Sequence, residues 1–363
     1  MSFTTSHDLY IEDSASSILA DESVDLILTS PPYPMVQQWD SLFSSSLPGA
    51  TADGWATWEA QHSLLNRTWA QCVKALKPGG FMCINIGDAV RTIEGKFHLF
   101  PNHAEVLRHV VSGGMTPLPG VLWRKPTNAP NKFMGSGTLP AGAYVTLEHE
   151  HILIFRKGEK RVFDEGETVR RRRSAIFWDE RNQWFSDVWM GLPGASQTYR
   201  DAKVSINHTA AFPLALAKRL LLMYSIEGDV VVDPFSGTGT LAKAAASTGR
   251  HSICIEKNDK FEGPWRANIA KSVFEGWVPQ CLRIEDQINR LVLVDTETDD
   301  SASLKYKYEH PIYRRGALNH SVRVKTRQER GMQLSAPVPN AEIVLQVGHG
   351  NSLRLDVATE YVS

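Results

Sequence analysis

Cysteine is scarce in this chain. Four of 363 residues are cysteine, at Cys72, Cys83, Cys254 and Cys281, and no pair has the short spacing of a zinc site. That excludes a cysteine-held metal and a disulfide scaffold, and it leaves reduced core thiols of the kind expected in the cytosol. Long apolar runs are also missing. No stretch of about 18 apolar residues occurs, so no membrane-spanning helix is expected. Met1 to Tyr10 lacks the basic-then-apolar layout of a secretion signal. Neither sign of charge is in excess, the formal net charge being −1. A partner such as a polyanion would therefore have to be met by basic residues gathered locally. No internal repeat is present.

The remaining composition, 42% hydrophobic and 22% charged, is that of a globular protein. The length suits one large α/β domain with an insertion and an appendage. Asp8 to Ile11 and Val24 to Leu28 read as strands. The second runs into Ser30-Pro31-Pro32-Tyr33, where two prolines force the chain out of a sheet. The Ser- and Gly-rich stretch from Gln37 to Gly54 reads as a loop. His62 to Leu76 has apolar residues at helical spacing and ends at Lys77-Pro78-Gly79-Gly80. Phe81 to Ile86 is a buried strand, and Asn102 to Ser112 a helix. Gly120 to Trp123 and His151 to Phe155 are two further strands.

Residues 157 to 187 are highly charged and poor in apolar periodicity. Pro213 then suits the first turn of a helix carrying Leu216, Leu220, Leu221 and Tyr224 on one face. Asp229 to Asp233, Thr240 to Thr248 and His251 to Glu256 give strand, helix and strand around a glycine turn, which is half of a doubly wound fold. Asp295 to Ser303 reads as an acidic linker. Strand-like pieces follow at Val322 to Thr326, Glu342 to Val347 and Leu353 to Val357. Between Leu304 and Arg330 stand eight Lys or Arg against two acidic residues, a basic patch able to grip a nucleic-acid backbone or simply to face solvent.

Two short stretches carry the chemistry. In Asp233-Pro234-Phe235-Ser236-Gly237-Thr238-Gly239-Thr240, the two glycines permit a sharp turn and close approach of a ligand. The following helix offers free N–H groups, and Glu256, ending the next strand, can accept from ribose hydroxyls. Taken alone the segment fits three readings: an S-adenosylmethionine loop, a dinucleotide loop of the G-x-G-x-x-A type, or a turn without ligand. A phosphate-binding P-loop fits poorly, because no Gly-Lys-Ser/Thr follows. Ser30-Pro31-Pro32-Tyr33 taken alone is an ordinary turn.

Together and in this order, the two stretches resemble the β class of DNA amino-methyltransferases. The resemblance spans roughly residues 7 to 275. It includes Leu76-Lys77-Pro78-Gly79-Gly80, Trp123-Arg124-Lys125-Pro126, His149-Glu150-His151-Ile152-Leu153, Ser186-Asp187-Val188-Trp189 and His208-Thr209-Ala210-Ala211-Phe212-Pro213. It implies an S-adenosylmethionine-dependent (Rossmann-like) α/β fold with a seven-stranded, mostly parallel sheet and circularly permuted motif order. By this likeness residues 1–156 form the catalytic half, 157–187 the target-recognition region, 188–293 the cofactor half, and 294–363 an appendage.

The likeness also implies roles. Ser30 Oγ and the Pro31 carbonyl would accept the two N–H protons of an exocyclic amine, drawing its nitrogen toward tetrahedral geometry. Pro32 keeps the corner rigid, and Tyr33 offers a face to an extruded base, stacking worth roughly 1–3 kcal/mol. The cofactor set is Asp13, Asp233, Pro234, Phe235, Ser236, Gly237, Thr238, Gly239, Thr240, Glu256 and His208. Lys125 and Arg170-Arg171-Arg172-Arg173 would meet DNA. Serine at position 30 favours N4 of cytosine over N6 of adenine. The implied partners are double-stranded DNA, a second copy of the chain and a cognate restriction endonuclease, in the cytoplasm of a bacterium or a phage-infected cell. A nicotinamide-dependent oxidoreductase and a binding module without activity are the rival readings from other classes.

Overall fold

The computed structural model describes residues 2–47, 54–125, 141–142, 144–176, 178–200 and 205–274, and beyond these only strands within 304–361. In chain order the strands and helices are β1 (Ser2–Ile11), β2 (Val24–Thr29), α1 (Asp40–Ser46), α2 (Gly54–Ala75), β3 (Leu76–Ile86), β4 (Ala89–Ile93), β5 (Lys96–Phe100) and α3 (Asn102–Ser112). Then come β6 (Met115–Arg124), β7 (His149–Lys157), α4 (Glu165–Arg173), α5 (Trp178–Trp184), β8 (Val188–Trp189), β9 (Ala195–Arg200), β10 (Ser205–Ala211) and α6 (Leu214–Tyr224). The last are β11 (Val230–Asp233), α7 (Thr240–Ala246), β12 (His251–Glu256), α8 (Glu262–Phe274), β13 (Leu304–Lys305), β14 (Pro311–Ile312), β15 (His320–Arg323), β16 (Glu342–Val347) and β17 (Ser352–Tyr361).

Two compact units divide the chain. The first comprises residues 1–13, 161–185 and 217–363. Its centre is parallel, with β1 beside β12 from His7↔Ser252 to Ile11↔Glu256, and β12 beside β11. On the outer side of β1 runs β17, antiparallel over nine residue pairs, and β15 and β16 pair with β17 in turn. The C-terminal strands therefore extend this sheet. The helices α7 and α8 pack by apolar side chains, with Leu241, Ala244, Ala245, Trp265 and Ile269 buried. Arg161, at the head of the charged segment, is held by Asp229 and by Glu167.

The second unit comprises residues 14–160 and 186–216. Its sheet sets β2 parallel to β3, β3 and β6 antiparallel to β7, and β8 parallel to β6. All six residues of β2 are buried: Val24 and Leu26 to Leu28 are the apolar run expected of a strand covered on both faces, and the buried Asp25 is paired with Lys77 Nζ at 2.9 Å. Helix α2 buries Leu65, Trp69, Cys72 and Ala75 along one stripe.

Two expectations need correction, and one element was unforeseen. Gln37 to Gly54 is not simply a loop: Gln37–Trp39 forms a 3-10 turn and Asp40–Ser46 an α-helix. One buried side chain, Phe43, anchors that helix, too few apolar positions to show a period. The charged stretch 157–187, poor in apolar periodicity, nonetheless contains α4 and α5. Its N-terminus is closed by a reciprocal capping box, Asp164 Oδ1 accepting from Glu167 N–H at 2.7 Å and Glu167 Oε2 from Asp164 N–H at 3.1 Å. The hairpin β4–β5 was not anticipated. The linker expected at Asp295 to Ser303, and Cys281, lie outside the described residues.

Candidate active site

The apolar strand β2 delivers Ser30 to the C-terminal edge of its sheet, and Pro31 and Pro32 then turn the chain away, both buried. Ser30 Oγ and Tyr33 Oη are 3.0 Å apart. The tyrosine oxygen receives Asn85 Nδ2 at 2.7 Å and donates to Glu150 Oε2 at 3.0 Å. Asn85 Nδ2 also donates to the same carboxylate oxygen at 2.7 Å, and Lys125 Nζ pairs with the other, Oε1. Five side chains from β2, β3, β6–β7 and their ends thus meet in one hydrogen-bonded cluster. Glu150 and Asn85 are buried in it, while Ser30 and Tyr33 keep partial exposure. Burial, and then the Glu150 carboxylate, push the Tyr33 phenol well above its ordinary value, so it stays protonated.

The backbone around this corner is held from behind. Asn102 opens α3 and satisfies all its polar valences: Nδ2 donates to Pro34 O at 2.9 Å and Gly87 O at 3.0 Å, while Oδ1 accepts from Trp58 Nε1 at 2.7 Å and His62 Nε2 at 3.1 Å. Met35 takes a left-handed backbone with φ 62°, and its N–H is fixed by Gln61 Oε1 at 2.8 Å. Such strain persists only where surroundings over-determine it. Gly87 leaves room for the tyrosine: a Cβ there would lie 3.1 Å from Tyr33 Cε2 and 3.3 Å from Glu150 Cγ.

Beside the corner, Asp88, His103 and His151 bring together metal-ligating side chains. Their geometry is that of a helix cap. Asp88 accepts the His103 backbone N–H at 3.1 Å and its Nδ1 at 2.8 Å. Burial opposes it, but these bonds hold the Asp88 carboxyl below its usual range. The two imidazoles stack 3.8 Å apart at 11°. A metal sits in the plane of each ring that binds it, and two nearly parallel planes do not converge on one ion. Burial and then His103 lower His151 to about 4.

In the other unit, the turn after β11 carries Gly237 at φ 50° and Gly239 at φ 84°. Both lie where only glycine is comfortable. A Cβ at Gly239 would come within 2.4 Å of Trp265 Cδ1. Asp233 Oδ1 accepts from Phe235 N–H at 3.0 Å, and Ser236 N–H bonds Ile255 O at 3.0 Å. Asn268 Nδ2 donates to Thr238 O at 2.8 Å. Glu256 Oε2 takes the Gly237 N–H at 2.8 Å and Oε1 the Asn258 N–H at 2.9 Å. Burial raises its carboxyl, against the pull of these backbone donors. Besides offering acceptor lone pairs, Glu256 therefore ties the glycine turn to β12, which the sequence did not disclose. Asp13 follows β1 and meets Lys257 Nζ at 3.1 Å. The carboxylates of Asp233 and Glu256 at this turn are acceptors of the kind that an amine and ribose hydroxyls call for.

The remaining named residues stand on other elements. Lys125 is engaged by Glu150 and lies 5.4 Å over the Trp123 ring. Arg170 to Arg173 fall on α4. Arg170 approaches Glu167 at 3.8 Å, and Arg171 lies 4.5 Å over Phe163. His208 sits on β10 opposite Gln197, in the second unit, whereas the glycine turn belongs to the first. Asn85 was missed in the sequence, although an asparagine inside the buried run Phe81 to Ile86 is a signal. Glu150 was noted only as part of a motif.

A family model described as DNA methylase matches residues 24–263. Type II methyltransferase M.MthZI of Methanothermobacter thermautotrophicus is 42% identical over 342 residues, 92% of this chain and 91% of that protein. Type II methyltransferase M.MjaI of Methanocaldococcus jannaschii is 42% identical over 271 residues, 70% of this chain and 88% of its own. Among solved structures, TTHA0409 of Thermus thermophilus, complexed with S-adenosyl-L-methionine, superposes with a TM-score of 0.59 at 29% identity, covering 73% of this chain and 95% of that one. The cytosine-N4-specific PvuII DNA methyltransferase shares the fold, with a TM-score of 0.53 at 18% identity over 73% and 87% of the two chains. The two motifs, their order along the chain and these matches lead to one conclusion: the chain belongs to the N6/N4 family of DNA methylases.

Proposed function

We propose that this protein methylates the exocyclic N4 of cytosine in double-stranded DNA, within a short recognition sequence, as the methyltransferase of a restriction–modification system. S-adenosylmethionine, when bound, supplies an electrophilic methyl group on a sulfonium. The residues assigned to hold it are Asp13, Asp233 to Thr240, Glu256 and His208. The acceptor nitrogen is a poor nucleophile because its lone pair is conjugated with the ring. Ser30 Oγ and the Pro31 carbonyl accept its two N–H groups and localise that lone pair. Tyr33 takes the face of the base once it has left the duplex. No covalent bond between enzyme and base is needed.

The observation that carries this reading is the serine itself. Ser30 stands at the turn out of β2, 3.0 Å from a tyrosine that is locked in place by Asn85 and Glu150. A hydroxyl there is a small, neutral acceptor that suits an amine projecting from a pyrimidine ring. Lys125, the arginines of α4 and the basic residues after Leu304 are assigned to the DNA backbone. The test is nucleoside mass spectrometry of DNA incubated with the protein and S-adenosylmethionine. N4-methylcytosine is expected, and N6-methyladenine would reassign the acceptor within the same family.

A further inference from the structure

Hydrogen positions in the corner follow from counting donors. Glu150 is a carboxylate paired with Lys125, so both its oxygens only accept. Tyr33 has one proton and donates it to Glu150 Oε2 at 3.0 Å. Asn85 Nδ2 faces that same oxygen at 2.7 Å and Tyr33 Oη at 2.7 Å. The opposite amide orientation would set a carbonyl oxygen against a carboxylate. The order is kept even though Asn85 Oδ1 is left buried with no partner among the described residues, which costs stability. With its only proton committed to Glu150, Tyr33 cannot donate to Ser30. The 3.0 Å approach of Ser30 to Tyr33 therefore has the serine as donor.

We infer that Glu150 is a specificity-determining positioning residue: through Tyr33 it holds the Ser30 proton inward, so that Ser30 shows an incoming base lone pairs only. The corner then accepts an N–H and rejects a carbonyl oxygen at the same place. It welcomes the amino group of cytosine and turns away the 4-oxo group of uracil, which has the same size and shape. A serine with a free hydroxyl would rotate and bind either. Glu150 touches no substrate; it acts on the reaction by fixing which way one hydroxyl points. The high phenol pKa of Tyr33 supports this order by keeping its proton in place.

The inference rests on the proposed amine acceptor, but its test does not need methyl transfer. Duplexes carry the target base opposite an abasic site, so that pairing strength does not enter, and the base is either cytosine or uracil. Equilibrium binding gives a cytosine-to-uracil preference for the wild type, Glu150→Ala and Tyr33→Phe. At least tenfold is expected for the wild type, falling to within about twofold of unity in both variants. Loss of packing alone weakens both duplexes together and leaves the ratio unchanged. A wild type without preference, or variants that keep it, would overturn the inference. Should Glu150→Ala fail to fold, Tyr33→Phe, which removes a single oxygen, decides. If nucleoside analysis of DNA methylated by the wild type yields N6-methyladenine, the proposed acceptor is wrong. The hydrogen-bond order is then judged on adenine against hypoxanthine, the same exchange of amine for oxo.

Discussion

Ser30 and Gly239 differ in how a single residue is used, the one through its side chain and the other through its backbone. In the proposed reaction the Ser30 hydroxyl accepts from the amine of the base, and removing such a group costs about 100- to 1,000-fold in turnover. Ser30→Ala is therefore expected to lose methyl transfer by that factor while binding S-adenosylmethionine as before, measured by calorimetry beside single-turnover kinetics. Gly239 acts through its backbone. With φ 84° and Trp265 2.4 Å from a would-be Cβ, Gly239→Ala should lower unfolding free energy by about 2 kcal/mol or more and weaken cofactor binding, readable in a denaturant titration. Both residues were legible in the sequence, because proline and glycine announce their own constraints. Asn85 and Glu150 were not: their roles arise from pairing β3 with β7, which brings Asn85 opposite Ile152. No local spacing encodes a hydrogen bond between residues 65 apart.

At the scale of elements, the fastening of α2 to α3 behind the corner depends on a neutral histidine. His62 donates through Nε2 to Asn102, and its Nδ1 is buried with no partner among the described residues. Burial lowers its pKa from 6.5 to about 4. Between those values the unfolded chain takes up a proton that the folded one refuses, so stability falls as pH falls through this window. Each pH unit is worth about 1.36 kcal/mol, hence about 3 kcal/mol in all. His62→Gln should remove this histidine's share of the slope while that of His151 remains, measured by urea unfolding from pH 7 to pH 4. Asn102→Leu strands four groups at once. It should destabilise by at least about 3 kcal/mol and loosen Pro34 and Gly87 together. The helices and strands with long apolar periods were legible: β2, α2, α3, β11 and β12 were all expected, though α2 begins at Gly54, before the His62 expected. The short ones were not. Helix α1 rests on one buried phenylalanine, and α4 is held by its capping box and by Arg161, so charge concealed what end chemistry revealed.

At the scale of the whole molecule, the near-zero net charge leaves DNA binding to local clusters. If Arg170 to Arg173 meet phosphates, replacing them by glutamine should reduce the slope of log affinity against log salt by about 0.9 for each phosphate they neutralise. An unchanged slope would remove them from the interface. The proposed transfer needs both the Ser30 hydroxyl and the Gly239 turn. Methylation-aware sequencing of the genome of a host expressing this chain tests it most directly, with Ser30→Ala and Gly239→Ala run in parallel. N4-methylcytosine at one short recurring sequence is expected in the wild type and is expected to disappear in both variants. Methylated adenine at that sequence, or cytosine methylation that survives the loss of the Ser30 hydroxyl, would contradict the proposed transfer.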